Sequence, residues 1–469
     1  MRFTDAARFG DAAFTGAARF DGATFAGSAW FDGATFAGAA RFDEVLFADS
    51  VLFDGTTFTS SALFNSATFA GASRFDGATF ASTAGFGGAT FRAAVALGPM
   101  VCGGHVDVSG VVFEAPTTIE VAGVSMECLR TRWESTATLR LRYVGLDLSD
   151  AVVTHPLSVT AHPAPFTVPR GTLSESSLTG RDPGVRLQSL RGADAAHLVL
   201  TDTDLSGCTF AGTFHLDQIR LRGRTRFART PRGIRWRMGL PMRWTPRRTL
   251  AEEHHWRAVR TPPADPAHPT DRDWIPGPHH PDPTHTPGPD DLAPLYRDLR
   301  KAFEDGKNEP DAADFYYGEM DARRLDPERP TGERALLAAY WALSGYGLRA
   351  SRAVGWLLGA MAATVLALML WGLPTTEPVP HTTGIQAPHG QRIDLVTKAP
   401  DPELAGAFHQ RLTSQRAEKA TRVVLNSVVF RASGQNLTAV GTYTEMASRF
   451  LEPMLLTLAL LATRGRVKR

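Results

Sequence analysis

The chain has 469 residues, 43% hydrophobic and 21% charged, with a net charge of +2, which is long enough for several domains and excludes a collagen-like or wholly disordered polymer. Arginine supplies 45 of its 50 basic residues, a bias expected of a GC-rich, actinobacterial genome. Three cysteines, Cys102, Cys128 and Cys208, form no CxxC pair, and the odd count argues against a disulfide framework; with no apolar run at the amino terminus, the first domain is expected in a reducing cytoplasm.

From Phe9 to Phe91, sixteen phenylalanines follow one another at intervals alternating strictly between five and six residues. A period of eleven fits no helical face, and self-similarity at a short fixed period predicts a solenoid. A small residue stands two places before almost every Phe, as Ala18 before Phe20 and Ala67 before Phe69, with Val45, Val51 and Ser73 as larger substitutes. Small and large residues therefore alternate inward, as on short strands.

This pattern, over residues 1–97, resembles the pentapeptide-repeat family in its Phe-centred variant. The resemblance implies a β-solenoid, a right-handed quadrilateral β-helix with the central Phe and the small residue filling its interior. The extra residue in every second pentad predicts coils of 22 residues. On the outside, Asp21, Asp32, Asp43, Asp54 and Asp76 each follow a Phe, and Asn65 takes the missing place. Stacking would put Asp21, Asp43 and Asn65 on one edge and Asp32, Asp54 and Asp76 on the opposite one. Each carboxylate is expected to accept from nearby backbone amides in an Asp-Gly corner; a weak cation ladder or a DNA-mimicking acidic surface is the functional alternative. Some relatives present DNA-mimicking acidic surfaces to topoisomerases, but residues 1–97 hold nine acids against six arginines, too mild a field for that. Trp30, Leu52 and Leu63 point outward and, with the Asp edges, are the candidate contacts for a protein partner.

Residues 98–228 keep β-branched alternation without the Phe register and read as an irregular continuation, with a second short repeat where Leu200, Leu205 and Phe210 stand five apart. A basic and then Pro/His-rich linker follows over 229–290. Eleven arginines between Arg220 and Arg248 occur with no Asp or Glu, and tryptophans are interleaved. Arg235, Trp236, Arg237, Arg243, Trp244, Arg247 and Arg248 are the candidate contacts for anionic inner-leaflet lipid, a better match than nucleic acid because apolar spans lie downstream. Glu252, Glu253, His254 and His255 open a short helix without an HExxH arrangement, so neither metal nor cofactor is expected.

A helical hairpin is predicted in 291–350, with Leu295, Leu299 and Phe303 on one face, Gly306 as a stop and Asn308 with Pro310 as a start; the apolar stretch 338–347 is assigned to the membrane interface. The region 351–469 is predicted to be α-helical and membrane-embedded. Residues 353–373 carry no charge and are bracketed by Trp356 and Trp371, enough to cross a hydrocarbon core of about 30 Å. The second candidate, about 444–463, carries Glu445, Arg449 and Glu452 along one helical stripe. The basic tail belongs in the cytoplasm by the positive-inside rule, which predicts a multi-pass protein of the bacterial plasma membrane with its N-terminal domain and C-terminus cytoplasmic.

Before the second span, Thr438, Val440, Gly441 and Tyr443 resemble the potassium-filter pattern Thr-Val-Gly-Tyr-Gly, with Ala439 and Thr442 intruding and Thr444 in the final place. This half looks like the C-terminal half of bacterial membrane-anchored pentapeptide-repeat proteins, some of which resemble degenerate channels. Two functions follow. One is a non-enzymatic, membrane-anchored scaffold that presents the solenoid to a protein partner; no nucleophile with a base, phosphate loop or paired carboxylates points to an enzyme. The alternative is a channel-like homo-oligomer with Thr438, Gly441, Tyr443, Glu445, Arg449 and Glu452 along a pore.

Overall fold

The alternation of five and six residues between phenylalanines is an alternation of corners. Sides are two-residue strands such as Thr24–Phe25 and Ala29–Trp30, each paired in parallel with the strand 22 residues on, as Arg2 with Thr24, Val51 with Ser73 and Thr68 with Thr90. Five-residue intervals turn through a left-handed residue, at Gly22, Gly33, Gly55, Gly77 and Gly88 with φ of 62 to 76° and at Asp11, Glu44 and Ser66 with φ of 55 to 56°. That conformation costs a residue with a Cβ about 1–2 kcal/mol, so glycine is the commonest occupant. Six-residue intervals need small residues for a different reason: a Cβ on Gly71 would lie 2.4 Å from the carbonyl carbon of Asp49 in the preceding coil.

Inside, each Phe stacks face to face on its equivalent one coil away, with centroids 4.4 Å apart for Phe69 and Phe91 and 5.2 Å for Phe25 and Phe47. One column runs on through Phe91, Phe113 and Trp133. The rings from Phe25 to Phe91 are buried, each contributing about 1.5–3 kcal/mol by the transfer of apolar surface from water.

The computed structural model describes residues 1–169, 171–237, 240–263, 265, 269–277, 287–375, 381–384, 395–398, 402, 404, 407–429 and 437–467. They form two compact units, Met1–Glu328 and Arg329–Arg469. The first is a parallel β-solenoid of about ten turns with a helical end. Beyond the Phe ladder the coil shortens to 20 residues, as Val112 pairs with Arg132 and Thr117 with Ala137, and strands lengthen to spans such as Thr117–Glu127. One excursion breaks this continuation. Leu157 pairs with Leu198, and over 162–184 the chain leaves the coil, forms the pair Thr167–Val168 and Gly171–Thr172, and returns across the outer face. Its Phe166 and Leu178 cover Val101 and Ala122. Its Glu175 accepts from Arg142 Nε at 2.9 Å and Tyr143 Oη at 3.0 Å.

Three helices close the last coil: α1 (Ala251–Arg260), α2 (Pro289–Asp305) and α3 (Glu309–Leu325). Leu295, Leu299, Phe303 and Phe315 are buried, and Phe227 of the terminal coil meets Phe303 and Phe315 with centroids 5.9 and 5.0 Å apart. The helical hairpin, grouped in the sequence with the segment that leads to the membrane, is instead the end cap of the solenoid. A terminal coil has apolar rings and strand edges with no further coil to cover them, and the hairpin's apolar face meets that need.

The second unit contains α4 (Thr331–Ser344), α5 (Ala350–Ala367), α6 (Ser414–Val429) and α7 (Ala439–Val467). Two stretches, Ala350–Gly372 and Ala439–Thr463, are long and apolar enough to cross a membrane, with mean hydropathy of 2.1 and 1.3. They run antiparallel: the start of α7 meets the end of α5, where Thr438 N donates to the Gly372 carbonyl at 3.0 Å. Ala420, Val423 and Val424 of α6 pack on Leu368, Met369 and Leu373 at that same end.

Candidate functional site

On the solenoid, Trp30, Leu52 and Leu63 are half-buried, where the sequence reading has them exposed. They stand in columns with arginine. Arg8 lies 4.5 Å over the Trp30 ring; Leu52 is paired between Trp30 and Arg74, and Leu63 between Arg41 and Gly85. Long guanidinium side chains cover outward apolar surface while keeping their charge in water.

The Asp edges are ladders of backbone caps with their own counter-ions. Asp43 Oδ1 accepts from Asn65 N and Asp54 Oδ1 from Asp76 N, both at 3.1 Å. Arg41 pairs with Asp43 at 3.1 Å and reaches Asp21 at 3.7 Å, while Arg74 pairs with Asp54 at 3.1 Å and Asp76 at 2.7 Å. Burial raises the Asp54 carboxyl against the pull of Arg74. Asp32 is half-buried in the Asp54 column.

The basic run divides. Arg220, Arg222, Arg224, Arg226, Arg229 and Arg232 are exposed on the last coil and just beyond it. Arg235, Trp236, Arg237 and Arg243 lie on the strand pair Ile234–Arg237 and Leu240–Arg243, and their side chains lie outside the described part of the structure. Trp244, Arg247 and Arg248, read from the sequence as lipid contacts, are engaged within the first unit. Arg247 is buried and donates two hydrogen bonds to Glu253 at 2.6 and 2.8 Å. Arg257 joins Glu253 to Asp321, each at 2.6 Å, and lies 5.1 Å over the half-buried Trp244 ring. Arg248 pairs with Asp311 and donates its amide to Asp314 at 3.0 Å. The Tyr296 hydroxyl donates to Glu253 and accepts from Leu250 N at 3.0 Å.

Neighbouring groups end the coil. Glu252 is buried and accepts from the Phe210 amide, an edge donor of the solenoid. His254 Nδ1 accepts from Ile275 N at 3.2 Å, which leaves Nε2 to donate to Thr249 Oγ1 at 3.0 Å. Burial holds that imidazole down to about 4, against the opposing charge of Glu253.

The filter-like segment is helical. Thr438 is the N-cap of α7, its Oγ1 accepting from Gly441 N at 3.2 Å and donating to the Trp371 carbonyl at 2.6 Å, and Gly441 and Tyr443 lie in the first turns of the helix. A selectivity filter needs backbone carbonyls turned into a pore; here those of Gly441 and Tyr443 lie in a helix, so this segment does not have the filter arrangement. Gly441 serves close packing, since a Cβ there would lie 2.5 Å from the Gly372 carbonyl oxygen. Of the polar stripe, Glu445 and Arg449 pair with each other at 2.7 Å. Glu452 turns into the contact with α5, where its Oε1 lies 2.8 Å from Thr364 Oγ1.

Residues 1–46 and 42–90 each match the family model described as Pentapeptide repeats (9 copies), in agreement with the 22-residue parallel register and the stacked Phe core. Residues 1–90 are a pentapeptide-repeat domain. No curated protein and no solved structure matches the chain. Past the matched residues the parallel solenoid continues, as its strand pairing shows. Residues that sequence reasoning missed are Glu175, Tyr296, Asp321 and Thr364, each holding a group far away in the chain. A usable signal existed for one set: Glu252 and Glu253 are the first acids after a long arginine-only run, and a buried arginine requires such a partner.

Proposed function

We propose that the chain is a non-enzymatic scaffold anchored in the bacterial plasma membrane, with the pentapeptide-repeat solenoid displayed in the cytoplasm to a protein partner. The observation that carries this reading is the joining, in one chain, of a solenoid with a filled interior to an antiparallel pair of apolar helices whose outer faces are left exposed among the described residues of their unit. Trp356, Leu358, Trp371, Phe450 and Leu461 are exposed on that pair, a surface that water disfavours and lipid accepts. An even number of crossings puts both termini on one side, and the exposed arginines from Arg220 to Arg232, which supply charge for anionic headgroups of the inner leaflet, favour the cytoplasmic side. Packed Phe rings leave no room for a substrate inside the ladder, so recognition belongs to the outer columns that carry Trp30, Leu52 and Leu63.

The test is a photo-activatable cross-linker at Leu52 of the full chain in cells, followed by alkaline carbonate washing of the membranes. The reading expects a discrete cross-linked species that stays in the washed pellet. Recovery of the chain in the supernatant would overturn the anchor, and a washed pellet with no cross-linked species would overturn the partner surface.

A further inference from the structure

We propose that Glu452 is a proton-binding site, carried by the α5–α7 pair as a neutral acid that donates to Thr364. The inference rests on the membrane reading above. Glu452 is fully buried, its Oε1 lies 2.8 Å from Thr364 Oγ1, and its Oε2 meets no hydrogen-bond partner among the described residues. Thr364 Oγ1 is also 3.0 Å from the Ala360 carbonyl. A hydroxyl has one proton to give. With Glu452 ionised, the carboxylate and the carbonyl compete for that single proton, and a charged oxygen is left bare between apolar helices. With Glu452 protonated, the acid donates to Thr364, Thr364 donates to Ala360, and both contacts are hydrogen bonds. The neutral state is the one the geometry satisfies, because burying an uncompensated charge is the more costly alternative.

Among the described residues, no cation is paired with Glu452. On α7, Arg449 is committed to Glu445 at 2.7 Å. Between Ala353 and Gly372, on α5 and the turn that follows it, no residue is titratable. Arg416 of α6 is spent on the carbonyls of Met369 and Leu373 at 2.9 and 2.7 Å, and on α4 the charged residues Glu333 and Arg334 stand near its start, remote from the C-terminal turn that meets α5 through Arg352 and the Trp341 carbonyl at 2.8 Å. Loss of the proton would place a charge in the contact and loosen the pair.

A protonated carboxyl in an apolar site reacts with an apolar carbodiimide: its proton passes to a carbodiimide nitrogen, its oxygen bonds the central carbon, and the adduct rearranges to a stable N-acylurea. The experiment treats the full chain, in vesicles of zwitterionic phospholipid, with dicyclohexylcarbodiimide or with a water-soluble carbodiimide, and maps the adduct by mass spectrometry. We expect Glu452 to be modified by the apolar reagent at neutral pH, less so at alkaline pH, and Glu445 to stay unmodified. Glu452→Gln removes the adduct and keeps the heat resistance of the helix pair, because the amide donates to Thr364 as the acid does; Glu452→Ala loses that resistance. An unmodified Glu452 in folded protein, or a Gln variant as labile as the Ala variant, overturns the proposal. A chain that fails to enter vesicles but is modified at Glu452 in detergent supports the proton site and removes the anchor instead.

Discussion

Burial raises the carboxyl of Glu252 to about 7 even though the Phe210 amide donates to it. Burial pushes the adjacent Glu253 up as well, but Arg247 and Arg257 outweigh it and hold that carboxyl at about 2. The signs of their contributions to stability are therefore opposite. The folded state binds the Glu252 proton more tightly than the unfolded chain, so this contribution is complete below pH 4.5 and lost as the pH rises to about 7. That loss is on the order of 3 kcal/mol. Glu253 stabilises above pH 4.5 and loses its contribution as the pH falls to about 2, and neutral His254 stabilises above pH 6.5 and loses its contribution as the pH falls to about 4. Glu252→Gln keeps an acceptor for the Phe210 amide and removes one titration. The variant should gain on the parent chain by up to about 3 kcal/mol between pH 4.5 and 7, read from denaturant midpoints at each pH. A difference between the two proteins that does not change with pH would contradict this account of Glu252.

At the scale of elements, the end cap is held by a buried ion network as well as by ring packing. Replacing Arg247 by Met leaves the Glu253 carboxylate with Arg257 but without one of its two cations inside the protein, and removing one partner of a buried pair typically costs about 3–5 kcal/mol. The cap should then open before the Phe coils do, seen as early loss of amide protection in α1 to α3 under hydrogen exchange; simultaneous loss across both elements would show that the network does not govern the end. The same elements show what can be read from a sequence. The Phe ladder is legible because every eleven residues restate the same inward pair and the same Asp corner. Arg247 is not: its partners Glu253 and Tyr296 come together only on folding, and unpaired in sequence a buried cation looks like a surface charge. The excursion over 162–184 is rich in Pro, Ser and Gly, the composition of an irregular coil, so nothing local separates a strap from a corner. Thr438 and Gly441 misled because an N-cap threonine and a close-packing glycine use the same letters as a filter.

For the whole molecule, the two units state complementary physical problems. The solenoid solves its own burial with stacked rings along its length and helices at its end, leaving a polar exterior of paired Asp and Arg columns. Only 17% and 28% of the two apolar stretches in the helix pair are buried, and hydrocarbon is the medium that would complete it. Their combination is what makes an anchored scaffold the economical reading, and the antiparallel contact from Thr438 with Gly372 to Glu452 with Thr364 fixes how the chain would cross. The central claim is tested most directly by topology reporters fused in separate proteins before Met1, after Ala405 and after Arg469. The account predicts a cytoplasmic signal at both termini and an exterior signal at Ala405; a cytoplasmic signal at Ala405, in protein that is folded and full length, would contradict it.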